Sequence, residues 1–179
     1  MQKIELKDFE KYHNELVGSG DVLLAKHISK KPLICYYDGL NYTDSNKCDK
    51  MNSGHNGGCY ISFDGDFVVI YFFRENKDAQ KFIDNVILKF VDKLKEIIPD
   101  KIIEFTGNDI LIDGKKISGA SSSDYAVFFI GYNPDLNVIR EVCNKEMLKT
   151  PGGLKEYLSN EQVERILEDI INEFEIEIN

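Results

Sequence analysis

Two stretches of the sequence bring together residue types that could do chemistry. One surrounds Asp113 and Gly114. An Asp-Gly pair between apolar runs predicts a two-residue hairpin turn. Pairing outward from that turn sets Ile112 opposite Lys115, Leu111 opposite Lys116, Ile110 opposite Ile117 and Asp109 opposite Ser118. Side chains alternate across a strand, so each face collects every second residue. Ile110, Ile112, Lys115 and Ile117 form the core face, with Lys115 at its tip reaching solvent. Asp109, Leu111, Lys116 and Ser118 form the other. Lys116 stands there diagonal to Asp109 and next to Ser118. A lysine aimed over a polar sheet face can hold an anion; an ordinary exposed hairpin lysine would leave the same pattern.

The other stretch holds Cys48, His55, Gly57, Gly58 and Cys59. Its Cys and His spacing fits no zinc pattern and offers no fourth ligand, so no metal is expected. Cys59 could serve as a nucleophile if a base or a positive charge made it a thiolate. His55 is four residues away. The alternative for Cys59 is a small buried strand residue.

Several elements must position these groups. Leu6, Phe9, His13, Leu16 and Val17 share one face of a helix over 5–17, which Gly18-Ser19-Gly20 ends. Asp21 can cap a short helix through Val22, Leu23, Leu24 and Ile28. Pro32 to Tyr37 reads as a strand. The polar run from Asp38 to Gly58 reads as a long loop, a kind that is generally functional. Cys59–Phe63 and Phe67–Phe73 around Asp64-Gly65 predict a hairpin. Asp78 to Ile98 is the clearest helix, with a wide apolar stripe that should pack on a sheet, and Pro99 stops it. Strands follow at Lys101–Phe105, Asp109–Ile112, Lys115–Ser118 and Tyr125–Gly131. Gly152 and Gly153 after Pro151 read as a turn. The last helix starts at Ser159, where Gln162 completes a capping box, and buries Val163, Ile166, Leu167, Ile170, Ile171 and Phe174. Helices and hairpins are interspersed with little βαβ alternation. The expected fold class is α+β, a mostly antiparallel sheet packed by helices.

Composition bounds the function. The chain has 179 residues, which predicts one domain over 1–179. Apolar residues make up 42% and charged residues 30%, a soluble globular balance. With 22 Lys plus Arg against 31 Asp plus Glu, the net charge of −9 speaks against a nucleic-acid or anionic-membrane partner. A charged N-terminus without an apolar run predicts no signal peptide. Four scattered cysteines, none in a CxxC, suit reduced thiols and a cytoplasmic location.

The run Gly107-Asn108-Asp109-Ile110-Leu111-Ile112-Asp113-Gly114-Lys115-Lys116-Ile117-Ser118-Gly119 closely resembles the signature of lipoate–protein ligases. These belong to the biotin/lipoate ligase and octanoyltransferase superfamily. In that motif an N-D-[IL] strand, a D/N-G turn and a K-[IV]-S-G return strand hold an essential lysine, which matches Lys116. The order of the remaining elements agrees. Residues 148–174 resemble the end of the catalytic domain, where a small-residue turn precedes L-x-E-Y and a final helix.

The resemblance implies the biotin/lipoate ligase catalytic-domain fold, without the separate accessory domain of many lipoate ligases. It implies joining lipoate or octanoate to the α-phosphate of ATP, with Mg2+, and passing the acyl group to a lysine of a lipoyl-carrier domain. Lys116 takes the catalytic place, and Asn108, Asp109, Ser118 and Gly119 the binding places. The family's second hallmark is an R-R-x-[ST]-G-G-G-x-V-x-H loop. Gly57 and Gly58 align with two of its glycines as further binding residues. Ser53 and Gly54 stand where its arginines stand, Cys59 at its third glycine and Phe63 at its histidine. Lys47, Lys50 and His55 are nearby cations. The biotin ligase pattern G-R-G-R-x-x-R is missing, which points to lipoate or octanoate rather than biotin. Three activities fit: a divergent ligase, an acyl- or acyl-adenylate-binding protein without turnover, or an ATP-independent acyltransferase with Cys59 as nucleophile. The site is expected between the Gly57-Gly58 loop and the Lys116 hairpin.

Overall fold

A computed structural model describes residues 1–36, 46–52, 60–143 and 149–178. Its strands are β1 (Gln2–Glu5), β2 (Val22–Lys26), β3 (Leu33–Tyr36), β4 (Asp49–Asn52), β5 (Tyr60–Ser62), β6 (Phe67–Tyr71), β7 (Ile103–Phe105), β8 (Asp109–Ile112), β9 (Lys115–Ser122) and β10 (Ala126–Ile130). Its α-helices are α1 (Phe9–Leu16), α2 (Asp78–Phe82), α3 (Leu88–Ile97), α4 (Leu136–Val142) and α5 (Asn160–Ile178). The order β1-β2-β6-β10-β9-β8-β7 makes a seven-stranded sheet, and β4-β3-β5 a three-stranded one. Among the described strands, β1–β2 and β3–β4 pair in parallel and the other pairs are antiparallel, so the expected α+β class with a mostly antiparallel sheet is observed.

Apolar alternation along the central strands explains the layers. Val22, Leu24, Phe67, Val69, Phe128, Ile110 and Ile112 face a core shared with α2, α3 and α5. Leu23, Ala25, Val68, Ile70 and Val127 face the opposite way, against Phe9 of α1 and Leu33, Cys35 and Met51 of the small sheet. On the outer side of that sheet, Ile34 and Cys48 pack with Val142 of α4. The capping box of α5 forms: Gln162 N donates to Ser159 Oγ at 3.2 Å and Ser159 N donates to Gln162 Oε1 at 2.8 Å.

Several local expectations are corrected. Residues 22–26 form a strand, not a capped helix. Val22 to Ala25 are buried on both faces, and an uninterrupted apolar run carries no period that separates a central strand from a helix. Residues 2–5 form an edge strand, so Glu5 closes that strand rather than opening the first helix. The polar run 38–58 contains β4, which only its pairing with β3 reveals. β5 and β6 do not form a hairpin: β5 pairs with β3, whereas β6 pairs with β2 and β10.

The cause of that last correction lies at Asp66, which is fully buried. Its carboxylate accepts from Phe63 N at 2.7 Å and from Tyr132 N at 2.6 Å, turning the chain from one sheet to the other. Burial pushes this carboxyl up to about 7 against the backbone donors that favour its charged form. The long helix is found, with a π-helical turn over Ile83–Ile87 joining α2 to α3. Helix α4 has too short an apolar pattern to read in advance; Asp135 Oδ1 caps it by accepting from Asn137 N at 2.9 Å.

Candidate active site on the β8–β9 hairpin

The Asp-Gly turn forms as expected. Asp113 and Gly114 have φ of 49° and 77°, the consecutive positive values of a type I′ turn. Asp113 also accepts from Ile102 N and Lys101 Nζ, both at 3.0 Å, fastening the turn to the edge of β7. Ile112 pairs with Lys115 and Leu111 with Lys116. A β-bulge then shifts the register, so Ile110 faces Ser118 and Asp109 faces Gly119. Ile117 is the extra residue, buried in the main core.

The bulge reassigns two of the expected site residues. Ser118 is buried rather than beside Lys116, and its Oγ accepts from Ile110 N at 3.2 Å. Gly119 takes the place opposite Asp109. A Cβ on Gly119 would lie 3.4 Å from Lys116 Nζ and 3.6 Å from Asp109 Oδ1, so the lysine reaches across the space its missing side chain leaves. Asn108 contributes its backbone: Ala120 N donates to its carbonyl at 2.7 Å, while the side chain is exposed. Gly57 and Gly58 lie outside the described residues, as do His55 and Cys59.

Lys116 Nζ sits 2.8 Å from Asp109 Oδ1. A second lysine, absent from the sequence-level site, takes the other oxygen: Lys149 Nζ lies 2.7 Å from Asp109 Oδ2 and 3.3 Å from Thr106 Oγ1. Burial by itself would raise the Asp109 carboxyl, but hydrogen bonds from Lys116 and Lys149 outweigh it and hold the group below its ordinary value. Both ammonium-bearing side chains stay partly open, at 40% for Lys116 and 35% for Lys149, against 16% for Asp109.

Lys149 arrives on a segment that does more than turn. Lys116 N donates to Thr150 O and Gly152 N donates to Lys116 O, both at 2.8 Å, in a parallel bridge between Lys116 and Pro151. Both backbone hydrogen-bonding groups of Lys116 are thereby taken by this segment, while Leu111 is its cross-strand neighbour on the other edge. Gly152 and Gly153 permit the approach. A Cβ on Gly153 would come within 2.3 Å of Tyr132 O.

The surface leading to the lysines changes from polar to apolar. Cross-strand partners share a face, so one row runs Asp109, Gly119, Phe129, Val68, Ala25. The next runs Ser121, Val127, Ile70, Leu23. Gly119, Ser121 and Phe129 are only half-buried, and the Phe129 ring packs on Tyr60 of β5 at 4.8 Å between centroids. Beyond Phe129 the rows pass under the small sheet, where Val68, Ala25, Ile70 and Leu23 are buried against Phe9, Leu33, Cys35 and Met51, so the open surface beside the lysines is Gly119, Ser121 and Phe129.

The other proposed cations point elsewhere. Lys47 pairs with Glu141 of α4 at 2.5 Å. Lys50 lines a separate cavity of about 260 Å³ with His27, Glu5 and Glu10. Cys48 is buried, which pushes its thiol up. Among the described residues no group of three or more His, Cys, Asp or Glu is placed to hold a metal. Nor is any helix there long and apolar enough to cross a membrane.

No family profile matches the chain, and no curated protein does. Solved structures do. Lipoate-protein ligase A bound with ATP superposes with a TM-score of 0.65 at 15% identity, over 97% of this chain and 84% of its own. The chain has the lipoate–protein ligase fold. Plasmodium falciparum LipL1 in complex with lipoate gives a TM-score of 0.68 at 13% identity, over 99% of this chain and 62% of LipL1. This chain therefore spans about six-tenths of the LipL1 length. A study of a bi-partite lipoate protein ligase and its E2 lipoyl domain from Thermoplasma acidophilum supplies another, with a TM-score of 0.65 at 14% identity, over 97% and 81%.

Proposed function

We propose that residues 1–179 form one lipoate–protein ligase-like catalytic domain. It activates lipoate or octanoate as an acyl-adenylate and passes the acyl group to a lysine of a lipoyl-carrier domain. One observation carries this: Lys116, held by Asp109 over Gly119, stands beside Phe129, the half-buried cross-strand partner of that glycine. That is a cation beside a partly open aromatic side chain, within a fold that known lipoate ligases share.

The chemistry explains why a cation belongs there. An acyl carboxylate oxygen attacks the α-phosphorus of ATP, and pyrophosphate leaves. Two anions must approach, and charge builds on the phosphoryl oxygens between them. A fixed ammonium stabilises that charge, and removing such a contact costs about 10²–10³ in rate. The carrier lysine amine then attacks the acyl carbon, and AMP leaves. Lys116 and Lys149 fit the anionic groups of ATP as a substrate. Asp109 commits both oxygens to ammonium groups, so this carboxylate does not fit the role of a Mg2+ ligand.

The test is pyrophosphate release from ATP with octanoate or lipoate, with octanoyl-AMP followed by mass spectrometry. Lys116→Ala should lose about 10²–10³ in rate. Lys115→Ala should change little, because Lys115 lies on the other face near Glu156, at 3.8 Å. Equal losses from both would refute the assignment. Ser53 and Gly54 in place of two phosphate-binding arginines favour a second reading, an acyl-adenylate-binding protein without turnover. Tight binding of the adenylate with no pyrophosphate release would decide for it.

A further inference from the structure

Charge counting around Asp109 leaves a remainder. In other lysine–carboxylate groupings among the described residues, the lysines meet at least as many carboxylates as they bring. Lys3 and Lys26 share Glu164 and Glu168. Lys89 meets Glu173 and Glu177. Lys101 meets Asp113. At Asp109 two ammonium groups share one carboxylate, which leaves a surplus of one positive charge.

Lys116 alone would neutralise Asp109. Adding Lys149 brings two like charges together, which is unfavourable unless something else uses them. Hydrogen-bond capacity agrees. An ammonium carries three donors. Lys116 spends one on Asp109, and Lys149 spends two, on Asp109 and Thr106. The remaining donors belong to side chains that are 40% and 35% exposed. The two ammonium groups sit on the two oxygens of one carboxylate, 2.8 and 2.7 Å away, which brings both to the same locus.

We propose that Lys149 is a second substrate-binding residue of this site, contacting the oxygens of an acyl carboxylate or acyl phosphate together with Lys116. Asp109 is the positioning residue that sets the two ammonium groups side by side. This deepens the ligase-like function proposed above and rests on it for the acyl part of the ligand.

Calorimetry on the full chain tests it with three probes: octanoate, a non-hydrolysable octanoyl-adenylate sulfamate, and neutral octanamide. Lys149→Gln should weaken both anionic probes roughly 10-fold or more, the scale of a charge-assisted hydrogen bond, and flatten their salt dependence. Octanamide binding should stay within about 2-fold, since it loses no ion pair. Lys149→Arg should restore most of the anion affinity. Unchanged anion binding in Lys149→Gln would overturn the proposal, and so would an equal loss for octanamide, which signals damage to the fold. Lys149-dependent octanoate binding without adenylate binding would support the cation pair and overturn the ligase reading. A wild type that binds none of the probes would overturn both.

Discussion

Replacing Gly153 with alanine tests how the second lysine is delivered. The backbone there is extended, with φ −146° and ψ 156°, so alanine can adopt it without strain. Space is what it lacks. The added Cβ would stand 2.3 Å from Tyr132 O, 2.8 Å from its carbonyl carbon and 2.6 Å from Pro134 Cδ. If the segment stays in place, overpacking costs about 1–3 kcal/mol. If it swings away, it loses Lys155 N to Tyr132 O at 2.9 Å and Leu154 N to Gly131 O at 3.1 Å. Each of those bonds is worth about 0.5–1.5 kcal/mol. Leu154, fully buried, would also give up part of the roughly 1.5–3 kcal/mol its burial provides. The first route predicts a loss of about 1–3 kcal/mol, the second about 2–4 kcal/mol. Urea unfolding followed by circular dichroism should show a lower midpoint at an unchanged slope. Gly107→Ala is the control, because nothing lies within 4 Å of its Cβ but its φ is +87°; left-handed backbone alone costs about 1–2 kcal/mol. A Gly153→Ala protein within about 0.5 kcal/mol of wild type would refute the close approach, since overpacking should exceed that.

Three further outcomes are expected. The folded Asp109 carboxyl releases its proton more readily than the unfolded chain, whose ordinary value is 3.8. Its stabilisation is therefore complete above that value and lost as pH falls through the lower folded one. The stability gap between wild type and Asp109→Asn should close only in strong acid; a gap that already closes near about pH 6 would contradict the sign. Asp66 runs the other way: with its folded value near 7, the folded state binds a proton more tightly than the unfolded chain. Its contribution to stability should rise as pH falls from about 7 to about 4; a carboxyl ¹³C titration with an ordinary midpoint would refute this. Ser159→Ala should cost about 1 kcal/mol by removing the cap from Gln162 N, and thermal unfolding of that variant measures it.

What could be read in advance was whatever is local. The Asp113-Gly114 turn, the stripe of 78–98 and the Ser159 capping box each depend on neighbours a few residues away, and all three are present. Side-chain alternation placed Lys116 with Asp109 correctly, because the first two rungs from the turn keep their register. It failed one rung later, at Ser118, because alternation assumes equal residue counts on both strands and the bulge adds Ile117 to one. Lys149 was invisible for another reason. No periodicity links it to Lys116; only a tertiary bridge from Pro151 does. β2 was misread as a helix, and β5, a strand as expected, was given the wrong neighbour, because pairing partners rather than local pattern decide where a short apolar run goes.

The bridge between Lys116 and Pro151 also has a consequence for the order of assembly. Lys116 and Asp109 meet through a two-residue turn, so their pairing needs only a local hairpin, an event of about 1–10 μs. Lys149 joins them only after a loop of about 35 residues closes, at an entropic cost that grows as (3/2)RT ln n. Half of the site's charge is thus native early and half late. With the hairpin formed but this loop open, the chain holds a neutral Lys116–Asp109 pair, and the surplus cation arrives only when the loop closes.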